Sequence, residues 1–125
     1  MKARTCKERI TRHLKSRSND FKTIMNAEDY ENVNDEIGNF YHYGLDFGYV
    51  EPNTFKDQET GYYRYQLSWG GPSDEINFYA DGTIEYWLKD WFDGAKKDIT
   101  NESWAIWLKD WFEVDSSLNE QKGIK

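Results

Sequence analysis

The chain has little of what most catalytic and metal sites are built from. It has one cysteine, Cys6, and two histidines, His13 and His42. A single cysteine excludes an intrachain disulfide and fits a reducing compartment. One thiol and two distant imidazoles give no zinc spacing. No apolar run approaches the ~20 residues that a membrane-spanning helix needs. The basic start of the chain lacks the apolar core of a secretory signal. The expectation is a cytoplasmic protein with no metal and no cofactor.

Motifs for covalent chemistry are also missing. No GxSxG-type elbow accompanies the histidines, and His42, between Tyr41 and Tyr43, reads as a partly exposed packing residue. Gly70-Gly71-Pro72 follows a strand pattern, but no GK[ST] or helix start follows it, so it is a turn and not a phosphate cradle. Asp81-Gly82 lacks the ligand series of a calcium loop. Acidic pairs are plentiful, which leaves a glycosidase-like pair as a third-ranked reading. So many carboxylates also bring some together by chance, and the expectation is a non-enzymatic protein.

What is present is unevenly distributed. Residues 1–22 carry eight basic and two acidic side chains, a local charge of +6. The remaining 103 residues carry eight basic and 21 acidic side chains, a charge of −13. All 22 aromatic residues lie at or after Phe21. An acidic body repels nucleic acid and anionic membrane and attracts basic surfaces. The basic leader could bind nucleic acid, or it could rest on the acidic body.

Periodicity predicts an α+β fold. Cys6, Ile10 and Leu14 give residues 4–17 a thin helical stripe, with a break at 16–20. A second helix is expected after Asn26, with Tyr30, Val33, Ile37 and Phe40 on one face. Alternation then predicts three or four antiparallel strands: Leu45–Tyr49, Tyr63–Trp69, Ile76–Tyr79 and Ile84–Leu88. A three-residue loop, Ala80–Gly82, sorts Ile76, Phe78, Ile84, Tyr86 and Leu88 onto one face, whereas a two-residue loop mixes the faces. Trp104, Trp107, Leu108, Trp111 and Phe112 give a helix over 101–113, capped by Thr100 or Asn101, that covers the sheet. The expected organisation is a basic helical leader (1–20), one α+β domain (21–115) and a flexible tail (116–125). The hexapeptide WLKDWF occurs at 87–92 and 107–112 with unlike flanks, which reads as local duplication or coincidence rather than a structural repeat.

The candidate partner surface is acidic and aromatic. Its carboxylates are Asp46, Glu51, Asp57, Glu59, Asp74, Glu75, Glu85, Asp90 and Asp93. Carboxylates on a rigid sheet can occupy Arg and Lys sites built for phosphates. Tyr62, Tyr79 and Trp87, on the polar sheet face, would supply anchors.

Three stretches carry a resemblance: YGLDFGYVE (43–51), YQLSWGGPSDE (65–75) and FYADGTIEY…DWFDGA (78–95). They are similar to small acidic proteins encoded by bacteriophages and mobile elements. The resemblance implies an inhibitor of bacterial defence of the anti-CRISPR or antirestriction kind. The expected function is therefore a non-enzymatic inhibitor that binds a basic surface of a nucleic-acid-handling protein, a CRISPR effector or a restriction enzyme. The alternative is a phage or plasmid accessory protein that binds nucleic acid through residues 1–22.

Overall fold

A computed structural model describes residues 4–121. Lys2 of the basic leader and residues 122–125 of the expected tail lie outside them. The fold is α+β, as the periodicity indicates. Five strands, β1 (Asp46–Val50), β2 (Tyr62–Ser68), β3 (Ser73–Tyr79), β4 (Ile84–Asp90) and β5 (Asp93–Asp98), form one antiparallel meander in sequence order. α1 (Cys6–Met25) precedes the sheet; α2 (Ser103–Trp111) and α3 (Val114–Gln121) follow it.

The β3–β4 hairpin takes the expected three-residue loop. Tyr79 N–H donates to Thr83 O at 3.0 Å, Gly82 N–H donates to Tyr79 O at 3.1 Å, and Gly82 has φ +92°. Phe78 consequently pairs with Ile84 and Ile76 with Tyr86. One face then holds Tyr65, Leu67, Ile76, Phe78, Ile84, Tyr86 and Leu88, all buried. α1 and α2 cover that face. Phe21 stacks on Trp104 (ring centroids 5.3 Å apart), and Phe112, just after α2, stacks on Phe47 of β1 (4.1 Å).

Five local expectations need correction. First, α1 runs unbroken through residues 16–20. Thr5 and Glu8 form a capping box at its start, and the apolar stripe resumes at Phe21 and Ile24, both fully buried. Tertiary packing outweighs the weak propensity of Ser16, Ser18 and Asn19. Second, the segment after Asn26 is not a helix but turns ending in a short 3-10 helix, Phe40–His42. Asp29, Asn34 and Asn39 accept hydrogen bonds from backbone N–H groups two or three residues on, which competes with helical bonding. Tyr30, Val33 and Ile37 still pack on the core. Third, the sheet has a fifth strand, β5. It has no apolar alternation, only a half-buried Ala95, and its Lys96 and Lys97 suit a sheet edge.

Fourth, Glu102 occupies the N-cap of α2 and makes no side-chain cap bond. Thr100 is engaged elsewhere, its Oγ1 accepting from Ile84 N–H at 3.0 Å. Fifth, the stretch expected to be a loose tail contains α3. Glu113 (φ +52°) turns the chain, and Val114 and Leu118, one helical turn apart, are both buried.

Candidate functional site

The face of the sheet away from the helices is polar and aromatic. Tyr62 pairs with Tyr79 across β2 and β3, with ring centroids 5.1 Å apart. Trp87 on β4 lies opposite Glu75 on one side and Lys96 on the other. The 51–61 loop leans over this face. Gln58 braces it from within, its Nε2 donating to Glu51 O (2.8 Å) and Thr60 O (2.9 Å). Between loop and sheet lies a concavity of about 420 Å³ lined by Phe55, Tyr62, Asn77, Tyr79, Trp87 and Lys89, among others. A second, of about 680 Å³, shares Thr60, Tyr79 and Trp87 and extends to Asp81 and Lys96.

The electrostatics of this face differ from a purely acidic surface. Glu75 pairs with Lys89 at 3.1 Å, and Glu85 pairs with Lys96 at 3.1 Å. Trp87 Nε1–H also donates to Glu85 (3.1 Å), and both lysine ammonium groups lie within 6 Å of the Trp87 ring centroid. Burial, and then the Glu75 charge, push the Tyr62 hydroxyl above its ordinary range. Burial also raises that of Tyr79, and Glu85 adds to it. Both phenols are therefore neutral donors at pH 7. Beneath them Gln66, Glu75 and Asn77 are each 2% exposed, and one side-chain oxygen of each has no hydrogen-bond partner among the described residues.

α1 takes three of the candidate carboxylates for itself. Arg17 grips Asp74 with two hydrogen bonds of 2.7 and 3.0 Å. Ser68 and Tyr86 hydroxyls also donate to Asp74. Burial of Asp74 opposes ionisation, but these donors outweigh it and hold the carboxyl below its ordinary range. Arg9 meets Asp90 at 2.8 Å. Asp93 accepts the Cys6 N–H at 2.7 Å, satisfying an orphan donor at the positive end of α1. The basic leader therefore lies on the acidic body.

Asp46, Glu51, Asp57 and Glu59 are exposed and form no ion pair among the described residues. Asp57 and Glu59 border the concavity with Tyr62, Tyr79 and Trp87. Asp46 starts the β1 edge, apart from that group.

Two groups of residues escaped the sequence reading. One is the segment 26–39, which holds five acidic side chains and no lysine or arginine. Glu28, Asp29, Glu31, Asp35 and Glu36 are all exposed. Reading the segment as an amphipathic helix hid that density, although its composition shows it. The other is the aromatic group Trp69, Trp91 and Phe92, exposed on turns at one end of the sheet. Alternation places Trp69 at the end of a strand, and only the acidic residues flanking Trp91-Phe92 hint at a turn there.

No family model, curated protein or solved structure matches this chain. Among the described residues no helix is long and apolar enough to cross a membrane.

Proposed function

We propose that the protein is a non-catalytic inhibitor that binds a basic, nucleic-acid-binding surface of a bacterial defence protein, a CRISPR effector fitting best. The observation that supports this most is the acidic segment 28–36. Its five exposed carboxylates have no basic neighbour in sequence and no ion pair among the described residues. The segment is also held in place. Val33 N–H donates to Gly38 O at 2.8 Å, Phe40 N–H donates to Tyr30 O at 2.7 Å, and the Tyr30 ring packs edge-on against Trp111 at 5.1 Å. Fixed carboxylates can meet arginine and lysine side chains without a large ordering cost. The exposed Asp46, Glu51, Asp57 and Glu59 extend the same charge. Such a protein acts in the cytoplasm of the bacterial host.

The structure of the polar sheet face shifts the test away from Glu75 and Glu85, whose charges lysines already balance. The decisive variant reverses Glu28, Glu31 and Glu36 to lysine together. Tagged protein is incubated with bacterial lysate and washed at increasing salt, and captured proteins are identified by mass spectrometry. A nuclease or CRISPR effector should be retained at low salt and lost at high salt, because exposed charges are screened within a Debye length of about 8–10 Å. The triple variant should capture far less, and Glu85→Lys should capture nearly as much as wild type. Capture that is indifferent to salt and to the triple reversal would sink this reading.

A further inference from the structure

α1 lies along one end of the sheet. Its Cys6 N–H meets Asp93 on β5, Arg9 meets Asp90 on β4, and Arg17 meets Asp74 on β3. The turns joining β2 to β3 and β4 to β5 project from the same end. They are neighbours: a Cβ on Gly71 would lie 3.0 Å from Asp90 Oδ1. Three large rings stand out on these turns. Trp91 is 91% exposed, Phe92 104% and Trp69 63%.

Strand pairing accounts for the tight β4–β5 turn, but packing does not account for the large rings in it. Asp90 pairs with Asp93, so Trp91 and Phe92 form a two-residue loop. Trp91 has φ +57°, a region that a bulky side chain enters at a cost and that glycine enters freely. At its exposure the indole buries almost nothing in return. Strained, solvent-facing groups of this kind cluster at binding sites. The loop is also held firmly, since the aspartates on either side of it are bonded to α1.

The helix flank beside these turns is rich in arginine. Arg4, Arg9, Arg12, His13 and Ser16, with Glu8, line a concavity of about 470 Å³. Arg4 and Arg12 are exposed and have no carboxylate within 4 Å among the described residues. Four of the chain's five arginines are on or beside α1. Guanidinium groups match phosphate geometry and stack on flat rings. Exposed aromatics beside a basic groove are the two parts of a surface for unpaired nucleic acid: bases stack on the rings and the groove tracks the backbone. A duplex keeps its base faces covered, so the rings favour single strands. A flat bilayer would take the rings, but a concavity lined by arginine suits a strand better.

We propose that this end of the molecule binds single-stranded nucleic acid, with bases stacked on Trp91, Phe92 and Trp69 and phosphates held by Arg4 and Arg12. The site is separate from the acidic segment 28–36 and has the opposite charge, so it stands or falls independently of the inhibitor reading.

The test uses the full chain and fluorescently labelled oligo-dT and oligo-U of about 20 nucleotides, read by anisotropy at low salt. Saturable binding is expected. Trp91→Gly and Phe92→Ala should each weaken it roughly 5- to 150-fold, the range for loss of one stacked base. Arg12→Ala should reduce the slope of log affinity against log salt by about 0.7. Tyr41→Ala, which removes an exposed ring outside this surface, should leave affinity unchanged. Glycine suits the backbone at residue 91, so Trp91→Gly separates lost binding from lost folding. The proposal is overturned by an absence of binding, by duplex bound as tightly as single strands, or by full affinity in both turn variants. Anionic phosphatidylserine vesicles run in parallel overturn it in favour of a membrane site if they alone bind and need the same rings.

Discussion

Arg17→Ala should be among the most damaging single changes in α1. Arg17 donates to both oxygens of Asp74 and, at 3.0 Å, to the Tyr43 hydroxyl, which in turn donates to Asp20 at 2.6 Å. The Asp74 side chain is 3% exposed and that of Arg17 is 23% exposed. Truncating the arginine leaves a buried carboxylate with hydroxyl donors but no countercharge. Breaking such a pair from one side costs about 3–5 kcal/mol, a large share of the ~5–15 kcal/mol that holds a domain together. At roughly 3–5 °C per kcal/mol for this size, the melting temperature should fall by about 10–25 °C.

Urea unfolding followed by tryptophan fluorescence reads the loss as a lower midpoint at unchanged slope. The pH dependence gives a second readout. The folded carboxyl of Asp74 lies below its ordinary range. Its contribution is therefore complete above the unfolded pKa of ~3.9 and is lost as pH falls through the lower folded value. The gap between wild type and Arg17→Ala should be full at pH 7 and close in strong acid, because protonating Asp74 removes from the wild type what the variant already lacks. Replacing both partners, Arg17→Met with Asp74→Leu, should cost less than the sum of the single changes. A single variant within about 1 kcal/mol of wild type, or a gap that does not change with pH, would refute this account of the network.

Three further outcomes follow from particular contacts. Leu118→Ala should destabilise by about 2–3 kcal/mol in urea unfolding, since the side chain is buried under α3; a null effect would mean that α3 is not docked. Gly44→Ala should lower the melting temperature, because a Cβ there would run into the Tyr65 ring and crowding of that kind costs about 1–3 kcal/mol. Trp91→Gly should do the reverse. Removing the Cβ from a left-handed position returns ~1–2 kcal/mol, glycine's extra chain entropy takes back ~0.5–1, and calorimetry should show a small rise in melting temperature.

The sheet was readable where one face is apolar and the other polar. In β2 through β4 the two-residue period, together with the requirement that Ile76, Phe78, Ile84 and Tyr86 share a face, leaves one consistent register, and the hairpin adopts it. β5 lacked that signal. Asp93–Asp98 is largely exposed on both faces, so pairing with β4 and not burial makes it a strand. α1 was half readable. Its first three stripe positions are plain, but residues 16–20 look like a break until Arg17 finds Asp74, a contact 57 residues away that no local window contains. The 26–39 segment shows the opposite case. Its apolar positions reach the core as expected, yet Asx hydrogen bonds and Gly38 (φ +71°) route the backbone differently.

The candidate site was harder to read, because a carboxylate's neighbours decide whether its charge is available. Asp74, Glu75, Glu85, Asp90 and Asp93 look like Asp57 or Glu59 in the sequence. Each of the five meets a cation or a helix N-terminus that only the fold supplies. The duplicated hexapeptide makes the same argument for aromatics. WLKDWF at 107–112 lies largely in α2, where residues four apart share a face, and Leu108 is fully buried. At 87–92 the same letters leave a strand for a two-residue turn, so Trp91 and Phe92 leave the protein altogether. What differs is the flank. Asp93-Gly94 permits the chain to reverse and pair with β4, whereas Glu113 turns the chain into α3. Trp111 and Phe112 pack on Tyr30, Phe40 and Phe47, whereas their counterparts Trp91 and Phe92 stand in solvent. Trp91 and Phe92 bury almost nothing in the fold, so the strain at Trp91 and the exposure of both rings are best explained by what they bind.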